Sequence, residues 1–202
     1  MQMNDIAVPS TPAAVLALEV CRRFSSDALL NHCRRSYLWA AAHAALNRIE
    51  FDAELLYVAS MLHDLGLSTE FDNYSLPFET AGGHVAWVFA AGAGWPAARR
   101  DRAGEIVVRH MWDQVDVAAD PESHLLELAT SLDISGTAAS AWPVELRAEV
   151  VAALPRFDLR TEFVGCFRDQ AARKPDSAAA AAIKSAIADR MAANPLETVT
   201  SN

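Results

Sequence analysis

Residues that favour β-sheets almost never alternate with polar ones along this chain. What recurs is Ala, Leu, Glu and Arg, with apolar residues three and four apart, the pattern of helices that each bury one face. The expected fold is therefore all-α, a helical bundle forming a single domain over residues 1–202. With 52% of its residues hydrophobic, the chain has ample material for one core. Its helix boundaries are written in caps. Thr11 before Pro12 opens a helix to about Phe24. Ser26 or Asp27 caps a second, to about Asn47. Asp52 caps a third, ending at Gly66, a natural C-terminal glycine. Residues 68–81 read as a loop, and Gly82-Gly83 leads into a fourth helix. A fifth runs from about Pro96 to Trp112 and a sixth from Pro121 to about Ser135. Pro143, Asp158 and Asp176 start three more, and the Ala-rich stretch 178–193 is helical by propensity. The tail 194–202 is expected to be loose.

Charge and composition exclude several functions. The net charge is −9 and the pI about 5.1. Nucleic-acid affinity comes mainly from Lys and Arg neutralising phosphates, and no basic run exists here. No stretch of about 18 apolar residues could cross a membrane, and the N-terminus lacks the basic region of a signal peptide. Cys21, Cys33 and Cys166 are odd in number and show no CxxC spacing, so they read as idle thiols in a reducing compartment. The expected location is cytoplasmic, the expected partner is a small-molecule substrate, and the Ala-rich C-terminal helices offer a surface for a homodimer.

The informative residues are polar ones on apolar stripes. His32 shares a helix face with Leu29, Ser36 and Trp39. His63 shares one with Leu56, Ala59, Ser60 and Leu67. His84 lies with Trp87, Val88 and Ala91. His110 lies with Ala103, Ile106 and Val107, and Asp133 with Leu126, Ala129 and Thr130. Asp64 follows His63 about 100° round the same helix. A buried carboxylate without a partner is expensive, and few Lys or Arg fall on these stripes. One shared metal ion would satisfy several of the groups together. Imidazole with carboxylate and no thiolate suits Zn, Fe, Mn or Ni and argues against a structural zinc site. His43, roughly 16 Å from His32 along the helix, and His124, out of phase with Asp133, read as structural or surface histidines.

The order His32, then His63-Asp64, then Asp133 resembles the HD-domain superfamily of metal-dependent hydrolases. The wording "NHCRRSYLWA" at 31–40, "FDAELLYVASMLHDLGL" at 51–67 and "PFETAGGHVAWVF" at 77–89 is similar to its cyanamide hydratase-like branch. The resemblance covers about residues 27–137. It implies an all-α fold in which those four residues hold the metal, with 138–193 as additional helices. Some superfamily members add two His between the dyad and the last Asp and hold two ions; His84 and His110 lie in that interval, so one ion and two both stay open.

The leading expectation is a metal-dependent hydrolase or hydratase that uses a metal-bound water on a small molecule, nitrile-like or cyanamide-like. Asp64 would orient the water. Glu79, on the loop between the third and fourth helices, would shuttle protons. Asn31 and Arg34 flank His32 and would orient ligands or bind an anionic substrate. Trp39, Tyr57, Phe78, Trp87 and Trp112 could line a small apolar pocket. The alternatives are a phosphohydrolase, a di-iron oxygenase using all six candidate ligands, and a non-catalytic ligand-binding module.

Overall fold

The computed structural model describes residues 1–198. They form ten α-helices, and no strand occurs among the described residues. The helices are α1 Pro12–Phe24, α2 Asp27–Asn47, α3 Ala53–Leu62, α4 Phe78–Gly92 and α5 Ala97–Arg109. They continue with α6 Pro121–Ser135, α7 Val144–Ala153, α8 Leu159–Arg173, α9 Ala178–Lys184 and α10 Ile187–Ala192. The fold is all-α, as the periodicity predicts. Side-chain oxygens of Thr11, Ser26 and Asp52 accept the N–H groups of Ala14, Leu29 and Leu55, so the three expected caps are made. No helix among the described residues is long and apolar enough to cross a membrane.

The helix α2 is the spine of the molecule. It is buried on nearly every side and packs along α6 and against α3. The main core gathers there around Trp39 and Trp142, and the Trp142 indole N–H donates to the Trp39 carbonyl at 2.9 Å. A second apolar cluster, including Phe78, Phe163, Phe167 and Met191, joins α4 to α8–α10. The C-terminal helices therefore close over one end of α2 and α6.

Several boundaries differ from the sequence reading, among them the end of the fifth helix at Arg109 rather than Trp112, and packing explains those around α3 and α4. The third helix stops at Leu62 rather than at Gly66. A tight 3-10 turn, Leu65–Leu67, follows the His63-Asp64 pair. A Cβ on Gly66 would sit 2.0 Å from the Phe78 carbonyl oxygen, so this turn presses directly on the first turn of α4. The fourth helix starts at Phe78, not at Gly82. Its two glycines survive mid-helix because backbone lies against them: a Gly82 Cβ would meet the His63 carbonyl and a Gly83 Cβ the Gly104 carbonyl. Close packing outweighs the poor helix propensity of glycine. The Ala-rich stretch is broken at Ala186, which has φ +57°. The end of the chain is docked as far as described. Asn194 donates to the carbonyls of Leu132 (3.1 Å) and Asp133 (2.9 Å), and Leu196 is buried. Residues 199–202 of the expected loose tail lie outside the described residues.

The Gly66 contact gives a stability prediction. Gly66→Ala should lower the unfolding free energy by about 1–3 kcal/mol, the usual cost of forcing extra volume into packed backbone. Urea denaturation of the variant checks it; an unchanged midpoint would mean the turn and α4 part easily.

Candidate metal centre

His32, His63, Asp64 and His110 meet where α2, the end of α3 and the end of α5 converge, and Asp133 of α6 stands behind His32. All five are buried. Each is carried there by local structure. His32 projects from the first turns of α2, and Ser36 returns its hydroxyl to the His32 carbonyl. His63 and Asp64 sit on the turn that ends α3. Because α3 stops at Leu62, the chain tightens at Asp64 (φ −98°, ψ 3°) and both side chains reach the same centre. His110 caps α5.

Hydrogen bonds behind the rings fix their tautomers. A carbonyl only accepts, so His63 Nδ1–H donates to the Ser60 carbonyl at 2.8 Å, and His110 Nδ1–H donates to that of Val107. His32 Nδ1–H donates to Asp133 Oδ2 at 2.7 Å. In the neutral form of each ring Nε2 is then left with its lone pair. The Nε2 atoms of His32 and His63 are 3.1 Å apart, and Asp64 Oδ2 lies 3.3 Å from each. His110 Nε2 lies 4.0 Å from Asp64 Oδ1, with its ring edge-on to His63.

Two lone pairs facing each other at 3.1 Å repel unless a proton or a cation lies between them. Asp64 Oδ2, buried beside them, has no hydrogen-bond partner among the described residues. This orphaned oxygen and the paired lone pairs are what a cation would satisfy. His32, His63 and Asp64 each offer a ligand atom, all within 4.8 Å of one another. Three protein ligands leave coordination positions open, as at catalytic rather than structural sites. The carbonyls and carboxylate behind the rings orient them as metal-binding imidazoles usually are.

The charges agree. Burial opposes a charge on His32, but Asp133 and Asp64 outweigh it and raise its pKa above the usual histidine value. Burial also works against ionised Asp64 and Asp133. His63 and His32 hold Asp64 well below the usual carboxylate range, and Arg35 and Arg156 do the same for Asp133. Burial, aided by His63, pushes His110 down to about 3, so its ring is neutral.

Several expected site residues stand elsewhere. Asp133 is not in the converging group. Its Oδ1 accepts from Arg35 Nε (2.8 Å) and Trp39 Nε1 (2.9 Å), and its Oδ2 accepts from Arg35 Nη2 (2.8 Å) as well as from His32. A carboxylate so occupied faces the back of His32. The expectation that few basic residues lie near these stripes is corrected by the same contacts: Arg35 is fully buried against Asp133, and Arg156 Nη1 donates to its backbone carbonyl at 2.7 Å. The signal for Arg35 was present, since it follows His32 by three residues on one helix face.

His84 is exposed on α4 and does not line the cavity, because Gly82 and Gly83 are the residues that turn inward there. A site with six protein ligands therefore lacks one of them. Glu79 is not on a loop; it lies in the first turn of α4, buried outside the cavity lining, where burial raises its pKa. Asn31 is spent on the Pro155 carbonyl at 3.0 Å, and Arg34 is exposed. Of the five aromatics expected in a pocket, only Trp112 lines it. Trp39, Tyr57 and Phe78 are buried in the packing, and Trp87 bonds Asp101 on the surface at 2.8 Å.

A cavity of about 800 Å³ opens over His32, His63, Asp64 and His110. Its far walls come from α6, α8, α9 and α10. The 138–193 region is thus part of the site, a contribution that resemblance confined to 27–137 could not reveal.

This all-α fold gathers two imidazoles and a carboxylate under a cavity, a group that could hold a metal ion. The family model of the HD domain matches residues 29–133, just over half of the chain and all of the motif residues. The chain belongs to the HD domain family, whose members are mostly metal-dependent hydrolases that bind divalent metals. No curated protein matches the sequence.

Proposed function

We propose that this protein is a metal-dependent hydrolase or hydratase acting on an uncharged small molecule, with one divalent transition-metal ion held by His32, His63 and Asp64. The observation that carries this reading is the pair of Nε2 lone pairs 3.1 Å apart beside the orphaned Asp64 oxygen, at the floor of a cavity. The ion, when bound, supplies a nucleophile from water near neutral pH and polarises the bond under attack.

The chain's own residues do the rest. Asp133, locked by Arg35 and Trp39, holds the His32 ring so that Nε2 points inward. Ser60 does the same for His63 through its carbonyl. His110, pinned at Nδ1 by Val107, presents Nε2 as an acceptor that aligns a water or a substrate N–H beside Asp64. Asp64 Oδ1, 4.0 Å from His110 Nε2, orients the attacking water. The cyanamide hydratase-like wording of the motifs favours addition of water to a nitrile-like carbon. Phosphate ester hydrolysis is disfavoured because the one Arg or Lys of the cavity lining, Arg190, is occupied with Ser185 rather than free to clamp phosphoryl oxygens.

The test is elemental analysis of protein purified without an affinity metal, followed by a panel of nitriles, amides and esters. We expect one equivalent of metal per chain. Turnover should stop with a chelator, return with added metal and be indifferent to dioxygen. Two equivalents, a need for oxygen, or no metal under replete conditions would overturn the reading.

A further inference from the structure

The cavity above the proposed metal is far larger than a nitrile needs. At about 800 Å³ it falls in the range that encloses drug-sized ligands. Its walls differ in chemistry. On α6, Glu127, Ser131 and Ser135 follow one another at four-residue spacing and all face the cavity. The Ser131 hydroxyl donates to Glu127 Oε1 (3.2 Å) and the Ser135 hydroxyl to the Ser131 carbonyl (2.9 Å). With its proton spent on Glu127, the Ser131 oxygen presents lone pairs to a ligand, whereas the Ser135 oxygen also accepts from the Thr137 hydroxyl at 2.7 Å.

The opposite wall is apolar. Phe163 and Phe167 of α8 stack with centroids 4.2 Å apart and face the space. Beside them, α9 borders the cavity with Ala178, Ala181 and Ala182, residues three and four apart, of which Ala178 and Ala182 are half-buried and Ala181 is exposed at the rim. Longer side chains at Ala178 and Ala182 would narrow the cavity from this side. The charges complete the picture. The lining holds Asp113 and Glu127 besides Asp64, and its one cation, Arg190, is occupied with the Ser185 carbonyl and hydroxyl. A phosphate or carboxylate ligand would find no forked donor set.

We propose that the cavity binds a bulky, uncharged, amphiphilic organic substrate. Its apolar flank lies on Phe163, Phe167 and α9, its hydrogen-donating groups lie along α6, and Ala178 and Ala182, with Ala181 at the rim, limit the size it can have. The proposal rests on the metal-site reading only for which end of the molecule reacts.

Isothermal titration of the metal-loaded protein with 2-naphthylacetamide and with 2-naphthyl phosphate tests it. The amide should bind, and the phosphate should bind at least about tenfold more weakly. In Ala182→Trp, or in Ala181→Phe at a more exposed position, amide affinity should fall by about tenfold or more, with metal content unchanged. A phosphate that binds as tightly as the amide, no amide binding up to its solubility limit, or full amide affinity in both filled variants would overturn the proposal. These selectivities need no turnover. A protein that shows them yet hydrolyses nothing loses the catalytic reading and keeps this one; metal-dependent turnover of a small nitrile or amide by a protein that does not bind the naphthyl amide does the reverse.

Discussion

His63→Ala is expected to reduce the metal content from one equivalent per chain to background. His63 gives the site one of its two closest donor atoms, and the alanine leaves His32 and Asp64 as a two-point contact with no imidazole opposite. The effect should also appear in stability. A ligand that binds only the folded chain stabilises it by about 4 kcal/mol at a thousand times its dissociation constant. Wild-type protein should therefore show a melting temperature that climbs with added metal, and His63→Ala one that does not. The control is His84→Ala. His84 is exposed on α4 and does not line the cavity, so its loss should leave both metal content and metal-dependent stabilisation intact. Metal loss in His84→Ala would restore the larger ligand set that the geometry takes apart.

How much of this was legible in the sequence follows from what each signal measures. Caps act over three residues, so Thr11, Ser26 and Asp52 marked true helix starts. The ends of α3 and the start of α4 were misplaced because their cause is a contact between Gly66 and Phe78 that no local rule records. Polar residues on apolar stripes led to His32, His63 and Asp64, since a helix face is readable at a spacing of three and four. The same rule misled at His84. Glycines on α4 make the inward face, and a glycine carries no hydropathy to announce it. Asp133 was rightly placed in the interior, but its partner could not be read from its own helix: Arg35 comes from α2, Trp39 from the next turn of α2, and Arg156 from the segment before α8. The cavity was illegible for a related reason. Its walls come from α6, α8 and α9, brought together across the fold, and in the sequence the alanines of α9 report only helix propensity.

Asp133→Asn is the substitution with the largest expected cost to the fold. The carboxylate is fully buried and neutralises Arg35, which is equally buried. Breaking such a pair by removing one partner costs about 3–5 kcal/mol, because the other charge stays desolvated and unpaired. The amide adds a conflict. Arg35 Nε and Trp39 Nε1 both donate to Oδ1, while Arg35 Nη2 and His32 Nδ1 both donate to Oδ2. Whichever side receives the amide nitrogen meets two donors. Urea denaturation in the presence of chelator, which keeps metal out of the comparison, should register this loss. If the nitrogen faces His32, the imidazole loses the acceptor that holds its proton on Nδ1, and the tautomer that directs the Nε2 lone pair inward is no longer fixed. Removal of such an orienting partner lowers metal affinity by about 10–100-fold without removing a ligand. The variant, where folded, should thus still reach one equivalent of metal at saturation, with a weaker dissociation constant. His63→Ala should not reach it at any practical concentration. An Asp133→Asn protein that behaves like His63→Ala would place the Asp133 carboxylate on the ion itself, and would require the His32 ring and Arg35 to move when metal binds.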